Sequence, residues 1–254
     1  MLNFDAVIFD MDGVITKTAK VHSTAWKKMF DEYLHQRERT YHELFSEFTH
    51  ADDYLPFVDG RPRYKGVEAF LKSRRINIPF GKPEDEPGTE TICGLGNSKD
   101  KYFNQIVETS GVGVYISTIG LINELLSKGV KVGVATSSKN CELILKKAKI
   151  NNLFETRVDG VVSAQMGLKG KPEPDIFTTA ASNLKVEPRR AIVVEDAISG
   201  VQAGFKGNFG LVIGVARENN AHELKANGAD VVVADLSEIT VDKMNQLIQS
   251  KLGR

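Results

Sequence analysis

From about residue 111 onward, short apolar runs alternate with stretches of helical periodicity. The runs 130–135 (VKVGVA), 158–162 (VDGVV), 191–195 (AIVVE), 211–215 (LVIGV) and 231–234 (VVVA) predict strands. Each is apolar at nearly every position, as parallel strands covered on both faces require. Between them, Leu121, Ile122, Leu125 and Leu126 form one helical stripe, which Gly129 stops. Leu143, Ile144, Lys147 and Ala148 belong to a second helix, and a third follows Pro174 through Ile176, Phe177 and Ala180. The alternation predicts an α/β fold built on a doubly wound parallel sheet.

The first strand is separated from this series. Residues 6–10 (AVIFD) make the same kind of buried run, but the rhythm then breaks until about residue 110. The intervening stretch is richer in charges and aromatics, with helical patterns around 22–34 and 66–75 and a loop at 79–88 (PFGKPEDEPG). It reads as a mostly helical domain, residues 17–110, inserted into a core made of 1–16 and 111–254.

Composition narrows the partners. The 254 residues carry 33 basic and 33 acidic side chains, so the formal net charge is zero. No global field attracts polyanions, which argues against nucleic acid and acidic membrane surfaces. Two cysteines far apart, Cys93 and Cys141, give neither a disulfide framework nor a CxxC metal knuckle. The start, MLNFDAVIFDMDG, lacks the basic region of a signal peptide, and no apolar run approaches the ~20 residues that span a bilayer. The chain reads as a soluble, cytoplasmic monomer.

In an open α/β sheet, ligands bind outside the carboxyl ends of the strands. The first strand ends in Asp10-Met11-Asp12-Gly13, two carboxylates that are costly to bury together unless a cation or phosphoryl group uses them. The next ends in Thr136-Ser137-Ser138, hydroxyls and N–H groups entering a helix, a phosphate cradle as well as a helix cap. Lys171-Pro172 and Glu195-Asp196 complete the edge. Carboxylates, one ammonium and a hydroxyl-rich turn describe a Mg²⁺-dependent phosphoryl-transfer site. No GxGxxG, Walker-type, GxSxG or HExxH pattern points to another chemistry.

DMDG, TSS, KP and ED in this order resemble the four motifs of the haloacid dehalogenase superfamily. The resemblance implies Asp10 as nucleophile, forming an aspartyl phosphate, and Asp12 as general acid/base. It implies that Thr136 and Lys171 bind the transferring phosphoryl group. Mg²⁺ would be held by Asp10, the main-chain carbonyl of Asp12 and Asp196, with Glu195 in support. The run GVIT-x-T-x3-H-x3-W, with His22 and Trp26, is similar to the β-phosphoglucomutase branch, whose helical cap follows the first strand. So is Ser137-Ser138-Lys139-Asn140, implied to contact a second phosphate. Arg63, with Arg61 as rival, is implied to grip the distal phosphate, and Lys99 to touch the sugar. His22 is equally readable as an ordinary polar residue of a helix, and Trp26 reads first as core.

Lys17 departs from the branch, which has an acid there, and the cap is longer than in the minimal mutase. The implied substrate is a small phosphorylated sugar, and the implied reaction converts β-glucose 1-phosphate to glucose 6-phosphate. Phosphatase activity on a sugar phosphate or another phosphomonoester is the alternative, and a non-catalytic phosphosugar-binding protein the remote one.

Overall fold

The computed structural model describes residues 2–252. In chain order they begin with β1 (Ala6–Phe9), then α1 (Ala19–Tyr41), α2 (Arg63–Ser73), α3 (Ile92–Ser110) and α4 (Ile116–Ser127). There follow β2 (Lys131–Ala135), α5 (Cys141–Lys147), β3 (Thr156–Val158), α6 (Gly160–Met166) and α7 (Asp175–Asn183). The last elements are β4 (Ala191–Glu195), α8 (Ile198–Lys206), β5 (Leu211–Val215), α9 (Ala221–Ala226), β6 (Val231–Val233) and α10 (Val241–Leu252). Two compact units result: one runs to Lys17 and resumes at Val112, the other is Thr18–Gly111.

In the first unit the six strands form one parallel sheet in the order β3-β2-β1-β4-β5-β6, the doubly wound arrangement the alternation predicts. β1 is central, with Phe9 registered against Val134 on one side and Val194 on the other. Its four residues are fully buried because helices cover both faces of the sheet. Ile8, Val193, Ile176, Phe177 and Phe209 belong to the core on one of those faces.

The strand expected at 158–162 is displaced. β3 ends at Val158, and the following residues turn into α6. The Asp159 carboxylate accepts from the N–H groups of Val161 (2.9 Å) and Val162 (3.0 Å), so it caps a helix where the apolar pattern alone suggests more strand.

The second unit is built from α1, α2 and α3 around Trp26, Phe30, Phe48, Phe70 and Leu95. Phe30 is the packing centre, with ring centroids 4.0 Å from Phe70 and 5.0 Å from Phe48. α1 extends well beyond the periodic stretch 22–34. α3 is a nineteen-residue helix that the sequence pattern does not announce, since Gly94 and Gly96 interrupt it. Close packing uses both glycines: a Cβ on Gly94 would meet Thr89 O at 2.4 Å, and one on Gly96 would meet Tyr64 at 2.8 Å. No helix of the described residues is long and apolar enough to cross a membrane.

Candidate active site

The strand order reverses direction between β1 and β4, and the carboxyl ends of these neighbours form the crevice where open α/β sheets bind ligands. Asp10 follows β1 directly, and its N–H donates to Val194 O at 2.9 Å, which places it beside Glu195. Lys171, from the loop between α6 and α7, reaches the same point. Its Nζ donates to Asp10 Oδ1 at 2.5 Å and to Glu195 Oε1 at 2.5 Å. All three side chains are buried: Asp10 is 5% exposed, Lys171 4% and Glu195 0%. Glu195 is fixed from its other oxygen by Ala197 N–H at 2.7 Å.

Asp12 is half-buried in a tight turn that follows. The turn is closed by Gly13 N–H donating to Thr16 O (2.8 Å) and by Thr16 Oγ1 donating to Met11 O (3.1 Å). Gly13 has φ +84°, and a Cβ there would lie 1.7 Å from Asp196 Oδ2. Only glycine lets the Asp196 carboxylate rest against this turn. The loop at the end of β4 therefore brings Asp196 to the loop at the end of β1.

Past β2, Thr136 is buried, while Ser137, Ser138, Lys139 and Asn140 are half-buried. Thr136 Oγ1 accepts from Ser138 N–H at 3.1 Å, and Ser138 Oγ accepts from Asn140 N–H at 3.2 Å. These two bonds curl the segment so that it enters α5. Gly160 N–H donates to Ser138 O at 3.0 Å, and a Cβ on Gly160 would meet Ser137 O at 2.5 Å, so the start of α6 braces the same turn.

Burial pushes the Asp10 carboxyl well up, and the charges of Glu195 and Asp12 add to this against the pull of Lys171. Burial acts to lower Lys171, but Asp10 and Glu195 overcome it and hold the ammonium charged, above its ordinary value. Two buried carboxylates, with Asp12 close behind, outnumber one ammonium. Among the described residues no three His, Cys, Asp or Glu side chains gather as a metal cluster. The donors still fit Mg²⁺, which binds through one or two carboxylates and keeps several waters. Asp10 and Asp196 supply hard oxygens on adjoining loops, and the excess of negative charge is the electrostatic counterpart of a cation.

In the helical unit, Lys99 is 3% exposed and donates from Nζ to His22 Nδ1 at 2.6 Å. The same ammonium lies 5.2 Å from the Trp26 ring centroid and 4.8 Å from that of Phe103. His22 stacks on Phe103 at 4.1 Å, so His22, Trp26 and Lys99 form one cluster along α1 and α3. Arg63, at the start of α2, donates from Nη2 at 2.6 Å to Oδ1 of Asp100, the residue after Lys99 on α3. Arg61 is exposed.

Two neighbours of the acid-bearing loops carry no motif. Arg217 Nε donates to Gly13 O at 3.0 Å, and Asn220 Nδ2 donates to Asp196 O at 3.3 Å. The signal that could have found them is positional: both follow the apolar run 211–215, at the same sheet edge as the four motifs.

Comparison with known proteins gives a consistent picture. The profile of the haloacid dehalogenase-like hydrolases matches residues 4–208. A β-phosphoglucomutase of Mycobacterium bovis is 42% identical over 237 residues, covering 92% of this chain and 90% of that protein. A β-phosphoglucomutase of Bacillus subtilis is 31% identical over 244 residues, covering 95% and 94%. The crystal structure of a β-phosphoglucomutase from Clostridium difficile superposes with a TM-score of 0.77 at 23% identity, covering 99% of this chain and 100% of that one.

Proposed function

Because the chain belongs to the haloacid dehalogenase-like hydrolase family, in its β-phosphoglucomutase-like branch, we propose that it converts β-glucose 1-phosphate to glucose 6-phosphate by Mg²⁺-dependent phosphoryl transfer. The observation that carries the reading is the buried Lys171 ammonium bridging Asp10 and Glu195 at the sheet's switch point. The 42% identity to a β-phosphoglucomutase supports the choice of substrate.

In this reading the residues before 17 and after 110 are the catalytic core, and 17–110 the cap. Asp10 attacks phosphorus through a carboxylate oxygen; the P–O bond to the sugar breaks and an aspartyl phosphate remains. Asp12 gives its proton to the departing sugar oxygen, then takes one from the next sugar hydroxyl as that oxygen attacks the aspartyl phosphate. A bisphosphate intermediate lets the phosphoryl groups exchange between the two sugar positions. Lys171 orients Asp10 and neutralises charge on the transferring group, together with Thr136 and the N–H groups of the turn after β2. Ser137, Ser138, Lys139 and Asn140 contact a second phosphate, and the cap residues His22, Arg63 and Lys99 contact substrate, while Trp26 packs in the core of the helical unit. A phosphate grip by Arg63 must compete with its ion pair to Asp100.

Asp10, Asp196 and the Asp12 carbonyl would hold Mg²⁺, with Glu195 in support through the metal or its water. The cation supplies charge neutralisation between nucleophile and phosphate oxygens. The proposal includes a small phosphosugar as the only partner, a cytoplasmic location and a monomeric state.

The test is an assay with Mg²⁺ and β-glucose 1-phosphate, primed with a trace of sugar bisphosphate. Glucose 6-phosphate and free phosphate are followed separately. Glucose 6-phosphate without matching phosphate release is expected. Stoichiometric phosphate release would make the protein a phosphatase. Neither product, from this or any other phosphosugar, would leave only binding.

A further inference from the structure

We infer that Arg217 is a positioning residue for phosphoryl transfer: through the Gly13 carbonyl it holds the Asp10–Gly13 loop in its working shape. The inference rests on the phosphoryl-transfer reading for what that loop does, but its geometry stands alone. Arg217 follows β5 by two residues and is fixed from three directions. Nε donates to Gly13 O at 3.0 Å, while Nη1 donates to Asp235 Oδ2 at 3.0 Å and to Ala234 O at 3.1 Å. The guanidinium lies over the Tyr115 ring, its carbon 3.7 Å from the centroid.

The supports of Arg217 are themselves tied down. Asp235 also accepts from Ser117 Oγ (3.0 Å) and Ser237 N–H (2.9 Å). Tyr115 N–H donates to Ile15 O at 2.9 Å, and Thr118 Oγ1 donates to Val14 O at 2.7 Å, so the platform grips the same loop. Lys17 Nζ faces the Tyr115 ring at 5.5 Å. Gly13 N–H is already bonded to Thr16 O, so the Arg217 bond to Gly13 O satisfies both main-chain polar groups of that residue. Three residues on, Asn220 holds the main-chain carbonyl of Asp196. One short segment thus clamps both acid-bearing loops.

Nη2 of Arg217 is buried and meets no protein acceptor among the described residues. The planar fork explains the residue type. A lysine would carry the charge but could not bond Gly13 and Asp235 while stacking on Tyr115.

The experiment compares wild type, Arg217→Ala and Arg217→Lys in three readouts. The first is turnover of β-glucose 1-phosphate in the primed assay, and the second is hydrolysis of p-nitrophenyl phosphate, which needs no sugar recognition. The third is amide hydrogen exchange of residues 11–16. We expect Arg217→Ala to lower kcat about 10–100-fold with KM changed less than about threefold. Exchange in 11–16 should accelerate while the β1 and β4 amides stay protected. Free guanidinium, well below denaturing levels, should restore much of the lost rate. Arg217→Lys, which keeps the charge but not the fork, should not regain kcat.

Wild-type kcat and unchanged loop exchange in Arg217→Ala would overturn the inference. So would a loss that follows the melting temperature and resists guanidinium. If wild type hydrolyses the ester but does not isomerise the phosphosugar, the mutase reading fails and Arg217 is judged on the ester. If wild type turns over neither, loop exchange decides.

Discussion

Lys171 has two buried carboxylates to satisfy, and that imbalance sets the behaviour of its neighbours. Removing Lys171 leaves both acids uncompensated, a change that costs about 3–5 kcal/mol in buried pairs. Removing Asp10 does the reverse. Asp10→Asn keeps a Lys171–Glu195 pair and deletes a carboxyl whose ionisation burial opposes. It should lower turnover by at least ~10³-fold, as loss of a nucleophile does. It should also raise the stability of the metal-free protein by about 0.5–2 kcal/mol. Denaturant unfolding beside the assay reads both; a less stable Asn variant would contradict the charge argument.

Asp235 gives a pH test. Partial burial acts to raise its carboxyl, but the Ser237 N–H, Arg217 and Ser117 outweigh it and hold the group well below its ordinary 3.8. A depressed carboxyl stabilises the fold above its unfolded value and loses that contribution as pH falls. The gap in stability between wild type and Asp235→Asn should therefore be constant near neutrality and close below about pH 4. A gap that widens in acid would reverse the assigned sign.

At the scale of elements, the two ends of a strand–helix unit obey different rules. Alanine is ordinarily the better helix former than glycine by about 1 kcal/mol. Gly120 in α4 has open space where a Cβ would stand, so Gly120→Ala should stabilise by about 0.5–1 kcal/mol. Gly200 in α8 should show the opposite sign. A Cβ there would fall 1.7 Å from Glu195 Oε1, so Gly200→Ala must displace the carboxylate that holds Lys171. Overpacking of this kind costs about 1–3 kcal/mol, and activity should fall with it. Thermal melts of the two variants check the pair.

The same contrast explains what the sequence shows of each element. β1, β4 and β5 are legible because both their faces are buried and nearly every position is apolar. The run 158–162 misleads because Asp159 faces two N–H groups that only the fold brings into line. α3 is hidden because its glycines answer to Thr89 and Tyr64, contacts invisible to periodicity.

For the whole molecule, 33 basic side chains balance 33 acidic ones, yet the sheet's switch point gathers an excess of buried acid. Neutrality outside and negative charge within suit a small anion bound with its cation better than a polyanion. Chelation should abolish turnover and Mg²⁺ restore it. Binding only to the folded form, Mg²⁺ at a hundred times its Kd should add about 2.7 kcal/mol of stability. Asp10→Asn should lose most of that gain. An unfolding curve indifferent to Mg²⁺ in the wild type would remove the cation from the site.

The sequence by itself determined the α/β class, the inserted helical stretch and the four motifs, three of them at strand ends and Lys171-Pro172 between two helices, because these follow from local pattern and from the types of residue that phosphoryl transfer needs. Only the tertiary structure decided that Lys171 bridges Asp10 and Glu195, that Gly13 makes room for Asp196, and that Arg217 and Asn220 hold the two acid-bearing loops. Those contacts join residues far apart in the chain. Sheet order creates them, and no spacing along the sequence encodes the order in which parallel strands lie side by side.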